Sequence, residues 1–123
     1  MEWNVAFDAG FAAEFAGFSE PVQDELLSLV GLLRKLGPSL RRPHCDTLNG
    51  SKYPNMKELR FTLPDGEWRV AFAFDPERRA ILLVGGSKSG TSEKRFYQTL
   101  IRVADTRFGR HLETLRSNDG GKK

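Results

Sequence analysis

Cysteine is almost missing from this 123-residue chain. The single thiol, Cys45, excludes an intrachain disulfide, and an unpaired cysteine suits a reducing compartment. His44, Cys45 and Asp46 are metal ligands by type, but no second Cys/His pair stands at ligand spacing, so neither metal nor other cofactor is expected. No apolar run approaches the roughly 20 residues of a membrane span, and no basic-then-apolar leader opens the sequence. The expectation is a cytoplasmic protein without membrane contact, for which the Asn49-Gly50-Ser51 glycosylation match is irrelevant. A nucleophile elbow is also absent. Residues 1–33 lack Lys and Arg altogether while holding Glu2, Asp8, Glu14, Glu20, Asp24 and Glu25, so all 19 basic residues fall later. That basic remainder, with Phe61, Trp68, Phe72, Phe96 and Tyr97 among its cations, has the electrostatic footprint of a nucleic-acid binder. A merely solubilising surface is the alternative.

What is present organises one domain, 1–112, followed by a flexible tail, 113–123. Trp3, Val5 and Phe7 alternate as in a short strand, and Phe11, Phe15 and Phe18 recur at helical spacing as a core stripe. Ser19 is placed to cap a second helix, Pro21 fits its first turn, and Val22, Leu26, Leu29, Val30 and Leu33 form its apolar face until Gly37-Pro38 stops it. Residues 39–55 are the longest irregular stretch. The continuous run Ala80 to Val84 predicts a central strand, and a last helix capped by Thr91 or Ser92 extends to about Phe108. His111 lies beyond its core stripe and reads as solvated.

The most informative segment is 56–90. Leu59 and Phe61 alternate with Glu58, Arg60 and Thr62; after Pro64-Asp65-Gly66, Trp68, Val70, Phe72 and Phe74 alternate with Arg69, Ala71 and Ala73. With Asp65 and Gly66 as the two loop residues, Arg60 faces Ala71 and Thr62 faces Arg69, which makes the arginines diagonal neighbours about 7–8 Å apart on one face. Two such charges need a carboxylate such as Glu58 between them or a bound anion; solvated arginines on an ordinary face are the alternative. Gly85-Gly86-Ser87-Lys88-Ser89-Gly90-Thr91 invites a phosphate-loop reading, but Ser87 stands where a Walker motif needs Gly, leaving at most weak phosphate affinity.

This inventory points to RNA backbone chemistry. A 2′-hydroxyl must lose its proton, the phosphorane charge must be stabilised and the 5′ oxygen must gain a proton, all without metal. Arg60, Arg69 and Lys88 suit the charge stabilisation. Glu58, Lys57 and Tyr97 are the proton-transfer candidates, Tyr97 having a core position as its alternative. Arg41, Arg42, Lys52, Lys94 and Arg95 are auxiliary RNA phosphate contacts.

The order strand, two helices, loop, antiparallel meander, helix, with the segments MKELRF, EWRVAFAF and LLVGGSKSG, resembles the HigB-like branch of the RelE/ParE toxin superfamily. The resemblance implies an α+β fold, a small antiparallel-rich sheet packed with two N-terminal helices and one C-terminal helix. It further implies a type II toxin that enters the ribosomal A site and cuts mRNA until a cognate antitoxin, of helix-turn-helix type, neutralises it; operator DNA would be met only through that antitoxin. Arg60, Arg69 and Lys88 match the family's basic positions, and Tyr97 matches a catalytic tyrosine approximately. ParE relatives share the fold but poison DNA gyrase, and a non-enzymatic RNA-binding module is the third reading.

Overall fold

Asn4–Phe7 forms strand β1, and Asp8 then turns the chain by accepting a 3.1 Å hydrogen bond from the Phe11 backbone N–H, which caps helix α1, Ala9–Ala16. Helix α2, Glu20–Leu36, carries Pro21 in its first turn and Arg34 and Lys35 in its last, where they complement the helix dipole. Ser19 occupies its N-cap but contributes no side-chain hydrogen bond. Gly37 ends it with φ +52°, and the Trp3 indole packs so closely that a Cβ there would overlap the ring. The computed structural model describes residues 2–121, with side chains through 118.

Four further strands follow: β2 Cys45–Thr47, β3 Lys57–Leu63, β4 Gly66–Phe74 and β5 Arg79–Ser87. They form one mixed sheet in the order β1-β5-β4-β3-β2, antiparallel except for the parallel β1–β5 pair. The short β2, inside the stretch expected to be irregular, has no alternating pattern of its own and exists by pairing Cys45 with Leu59 and Thr47 with Lys57. Helix α3, Glu93–Gly121, crosses the opposite sheet face from α1 and α2. Phe11, Leu26, Leu33, Leu59, Val70, Phe72 and Leu82 fill one core layer; Met56, Ala71, Ala73, Ile81, Leu83, Leu100, Ala104 and Phe108 fill the other. This explains the unbroken apolar run of β5: it is central and covered on both faces.

Two expectations need correction. The hairpin pairs Leu63 with Gly66, so the loop residues are Pro64 and Asp65, and Arg60 stands directly opposite Arg69. Gly66 makes this possible, because at φ +145° it leaves room for Ser87 and Ser89, whose hydroxyls would collide with a Cβ. The same register stacks Phe61 on Trp68, with centroids 6.0 Å apart and planes at 4°. The shift is by two residues, so both arginines keep their common face. Secondly, α3 does not stop near Phe108: residues 113–121, expected to be a flexible tail, are helical, and Lys122 and Lys123 lie outside the described residues.

Candidate active site

Because side chains alternate along strands, Glu58 and Arg60 of β3 and Glu67 and Arg69 of β4 project from the α3 side of the sheet, where the first turns of α3 present Glu93 and Tyr97. The directly opposed guanidiniums of Arg60 and Arg69 would repel each other. Glu58 resolves this from within: its Oε2 accepts from Arg60 at 2.8 Å, while its Oε1 accepts from the Tyr97 hydroxyl at 2.9 Å and lies 3.9 Å from Arg69 Nε. Of the two solutions that the sequence allows, a carboxylate or a bound anion, the fold supplies the carboxylate.

Arg69 is only 2% exposed, and every arm of its guanidinium is engaged. Nε donates to Tyr97 Oη at 3.1 Å, one terminal nitrogen to the Trp68 carbonyl at 2.9 Å and the other to Glu67 at 3.0 Å. Burial alone would lower its pKa, but the bonds to Tyr97 and Glu67 outweigh that and hold it above the ordinary value, so it stays charged. Burial also raises the Tyr97 phenol, with the Glu58 bond adding to the effect and Arg69 opposing it, so the phenol keeps its proton at neutral pH. Lys88, just after β5, donates to Glu93 at 2.8 Å, and its ammonium lies 5.8 Å from the centre of the Tyr97 ring.

Arg60 and Arg69 also border a cleft of about 750 Å³ between the free upper edge of β3 and α2, shared with Glu25, Arg42, His44 and Glu67. His44, a metal ligand by residue type, is exposed on this cleft, and its backbone carbonyl accepts from Arg60 N–H at 2.9 Å. Its signal was its residue type alone; pairing of the loop against β3 brings it in.

The fold therefore joins Arg60, Arg69, Lys88, Glu58 and Tyr97, and leaves Lys57 apart. Lys57 is one residue out of phase with Glu58 and lines a separate cleft with Leu40, Arg41, Cys45 and Asp46. Arg42 pairs with Asp46 at 2.7 Å at the cleft rim. Lys94 and Arg95 are exposed beside Glu93 in the first turn of α3, whereas the Lys52 backbone N–H binds Asp105, about 18 Å further along that helix. The phosphate-loop reading is corrected as well: Gly85 and Gly86 belong to β5, and Gly85 serves packing, since a Cβ there would strike Val70. Burial pushes the Cys45 thiol up to about 11, which suits an inert core group, and no group of three or more His, Cys, Asp or Glu among the described residues could hold a metal. His111 is not simply solvated; it lies 2.8 Å from the fully buried Asp75 carboxylate. No helix among the described residues is long and apolar enough to cross a membrane.

Residues 13–109 match the family of phage-derived Gp49-like proteins (DUF891). Two candidate toxins of Mycobacterium tuberculosis (strain ATCC 25618 / H37Rv) are similar in sequence. HigB3 is 48% identical over 89 residues, covering 69% of this chain and 75% of HigB3. HigB2 is 38% identical over 97 residues, covering 78% of this chain but only 48% of HigB2. In structure, a doubly substituted E. coli RelE toxin in the free state aligns with TM-score 0.58 and 15% identity over 82% of this chain and 95% of RelE. RelE in the intact E. coli RelBE toxin–antitoxin complex aligns with TM-score 0.53 and 16% identity over 71% and 98%. These two carry the RelE-like fold alone; the family match and the HigB sequence matches establish that the chain belongs to the phage-derived Gp49-like family, within the HigB-type group of toxins.

Proposed function

We propose that this chain is the toxin of a toxin–antitoxin pair and acts as a metal-independent endoribonuclease on mRNA held by the ribosome. The observation that carries the reading is the assembly of Arg60, Arg69 and Lys88 around one buried carboxylate, Glu58, and one protonated phenol, Tyr97, with Arg60 and Arg69 also bordering an open cleft. In this reading the RNA 2′-hydroxyl attacks the neighbouring phosphorus, forming a new O–P bond while the bond to the 5′ oxygen breaks, and a 2′,3′-cyclic phosphate remains. Arg60 and Lys88 stabilise the phosphorane charge, and Arg69 contributes through its outer nitrogen while its Nε orients Tyr97. Glu58 and Tyr97 are the proton-transfer pair, and the His44 imidazole, on the cleft that Arg60 and Arg69 border, is a third group able to take or give a proton. Arg42, Lys94 and Arg95 extend the phosphate-binding surface. Neutralisation falls to a cognate antitoxin, as the RelBE assembly illustrates for RelE, by covering this cleft or by barring the ribosome through bulk.

Induction of the chain without an antitoxin tests this. Growth should stop, and primer extension on a reporter message should show new ends inside translated codons. Intact message accompanied by inhibited supercoiling or broken DNA would replace the nuclease with a gyrase poison; no effect on growth would leave a binding module.

A further inference from the structure

The three carboxylates that neutralise the site are unequal. Glu58 has a side chain only 5% exposed and is held by two strong partners. Glu67 and Glu93 have side chains 54% and 70% exposed, and each is tied to the site by one cation, Arg69 and Lys88 respectively. The cations beneath them are the covered partners, at 3% and 18%. Carboxylate and phosphate oxygens accept from guanidinium and ammonium groups with the same geometry, and an exposed glutamate is held only weakly against a competitor. The two positions are also neighbours, since the Lys88 backbone N–H donates to the Glu67 carbonyl at 2.8 Å.

Resting on the nuclease reading above, we propose that Glu67 and Glu93 are built-in occupants of two RNA phosphate subsites, which the incoming backbone must displace, so that unanchored RNA binds weakly and only RNA held by additional contacts is admitted. The Arg69 donor covered by Glu67 is the one guanidinium arm whose partner is an exposed side chain, so removal of that carboxylate frees a single aimed donor. Hydrogen bonds from Arg69 and Lys88 hold the two carboxyls below the usual range, which keeps them anionic. Ordinary structural roles, Glu67 orienting Arg69 and Glu93 complementing the α3 dipole, predict the opposite sign: their loss would weaken binding.

The test is anisotropy of a labelled, fully 2′-O-methylated single-stranded RNA, which binds without being cut, titrated with Glu67→Gln, Glu93→Gln and the double variant across a KCl series. Each single variant should bind about threefold tighter at low salt and the pair about tenfold. The slope of log K against log salt should steepen by about 0.7 per carboxylate removed, since a phosphate then meets a free cation instead of displacing a glutamate. Unchanged or weaker binding with an unchanged slope would overturn the proposal, as would an equal gain from Glu113→Gln, which removes an exposed α3 carboxylate paired with Arg116. Thermal melts confirm that all variants fold. The two readings fail separately: tighter binding by variants of a wild type that never cuts translated message would sink the nuclease and keep the subsites, and normal cutting with unaltered binding would do the reverse.

Discussion

Glu58 has two tasks that mutagenesis can separate. It lies between two directly opposed arginines, so Glu58→Gln should leave their repulsion uncompensated and cost about 3 kcal/mol in urea denaturation. Tyr97→Phe keeps the ring and removes only the hydroxyl shared by Arg69 and Glu58; its stability cost should be about 1 kcal/mol, while the cleavage rate falls by on the order of a hundredfold. Comparable losses of stability in the two variants would argue that Tyr97 is a strut and not a proton carrier. Arg69 is buried and fully bonded, so Arg69→Ala should lose both rate and stability, and Arg60→Ala and Lys88→Ala are the cleaner probes of charge stabilisation. The residue types of this site were legible because strand alternation forces Glu58, Arg60 and Arg69 onto one face. Their pairing was not: a two-residue register shift, set by Gly66 and the Phe61–Trp68 stack, leaves the alternation unchanged.

Helix α3 is fastened by polar latches that no local pattern announces. Arg107 binds Glu14 of α1 at 2.6 and 2.8 Å and the Leu83 carbonyl at 2.8 Å, Asp105 accepts from Ser51 at 2.5 Å, and His111 meets Asp75 beyond β4. Gly10 leaves the space that the Arg107 guanidinium fills, so Gly10→Ala should displace it and lower the melting temperature. Burial would raise the Asp75 carboxyl, but hydrogen bonds from His111 and from the Arg79 backbone and side chain prevail and hold it below the usual range. A depressed folded pKa adds stability above the unfolded value of about 3.9, lost as pH falls through the folded value. Urea midpoints measured down a pH series should therefore drop below about pH 4 in the wild type and drop less steeply in Asp75→Asn. Identical slopes would remove Asp75 from the account. The helices, the hairpin and the central strand were readable because periodicity records burial. The β2 strand, the helical 113–121 segment and these latches depend on partners far away in sequence, and a polar residue gives no periodic sign of its partner.

Over the whole molecule, the acidic stretch 1–33 forms β1, α1 and most of α2, with both helices on one side of the sheet, and the clustered cations open at the β3–β4 end and beside the start of α3. Ribosome co-sedimentation should consequently weaken with salt. The fold also divides the basic residues that the sequence grouped together: neutralising Arg42, Lys94 and Arg95 should weaken ribosome association, and neutralising Lys52 should alter it little. Leu26→Ala, at a fully buried α2 position, should act through stability alone, at about 2–5 kcal/mol. The most direct test of the central claim uses purified protein, ribosomes programmed with a defined message, and a matched message with 2′-deoxy substitutions in the A-site codon. The unmodified message should be cut to a 2′,3′-cyclic phosphate end with no cofactor added beyond the ribosome's own buffer, and cutting should be lost on the 2′-deoxy message and with Arg60→Ala. Equal cleavage of both messages, or none with a protein that still arrests growth, would contradict it.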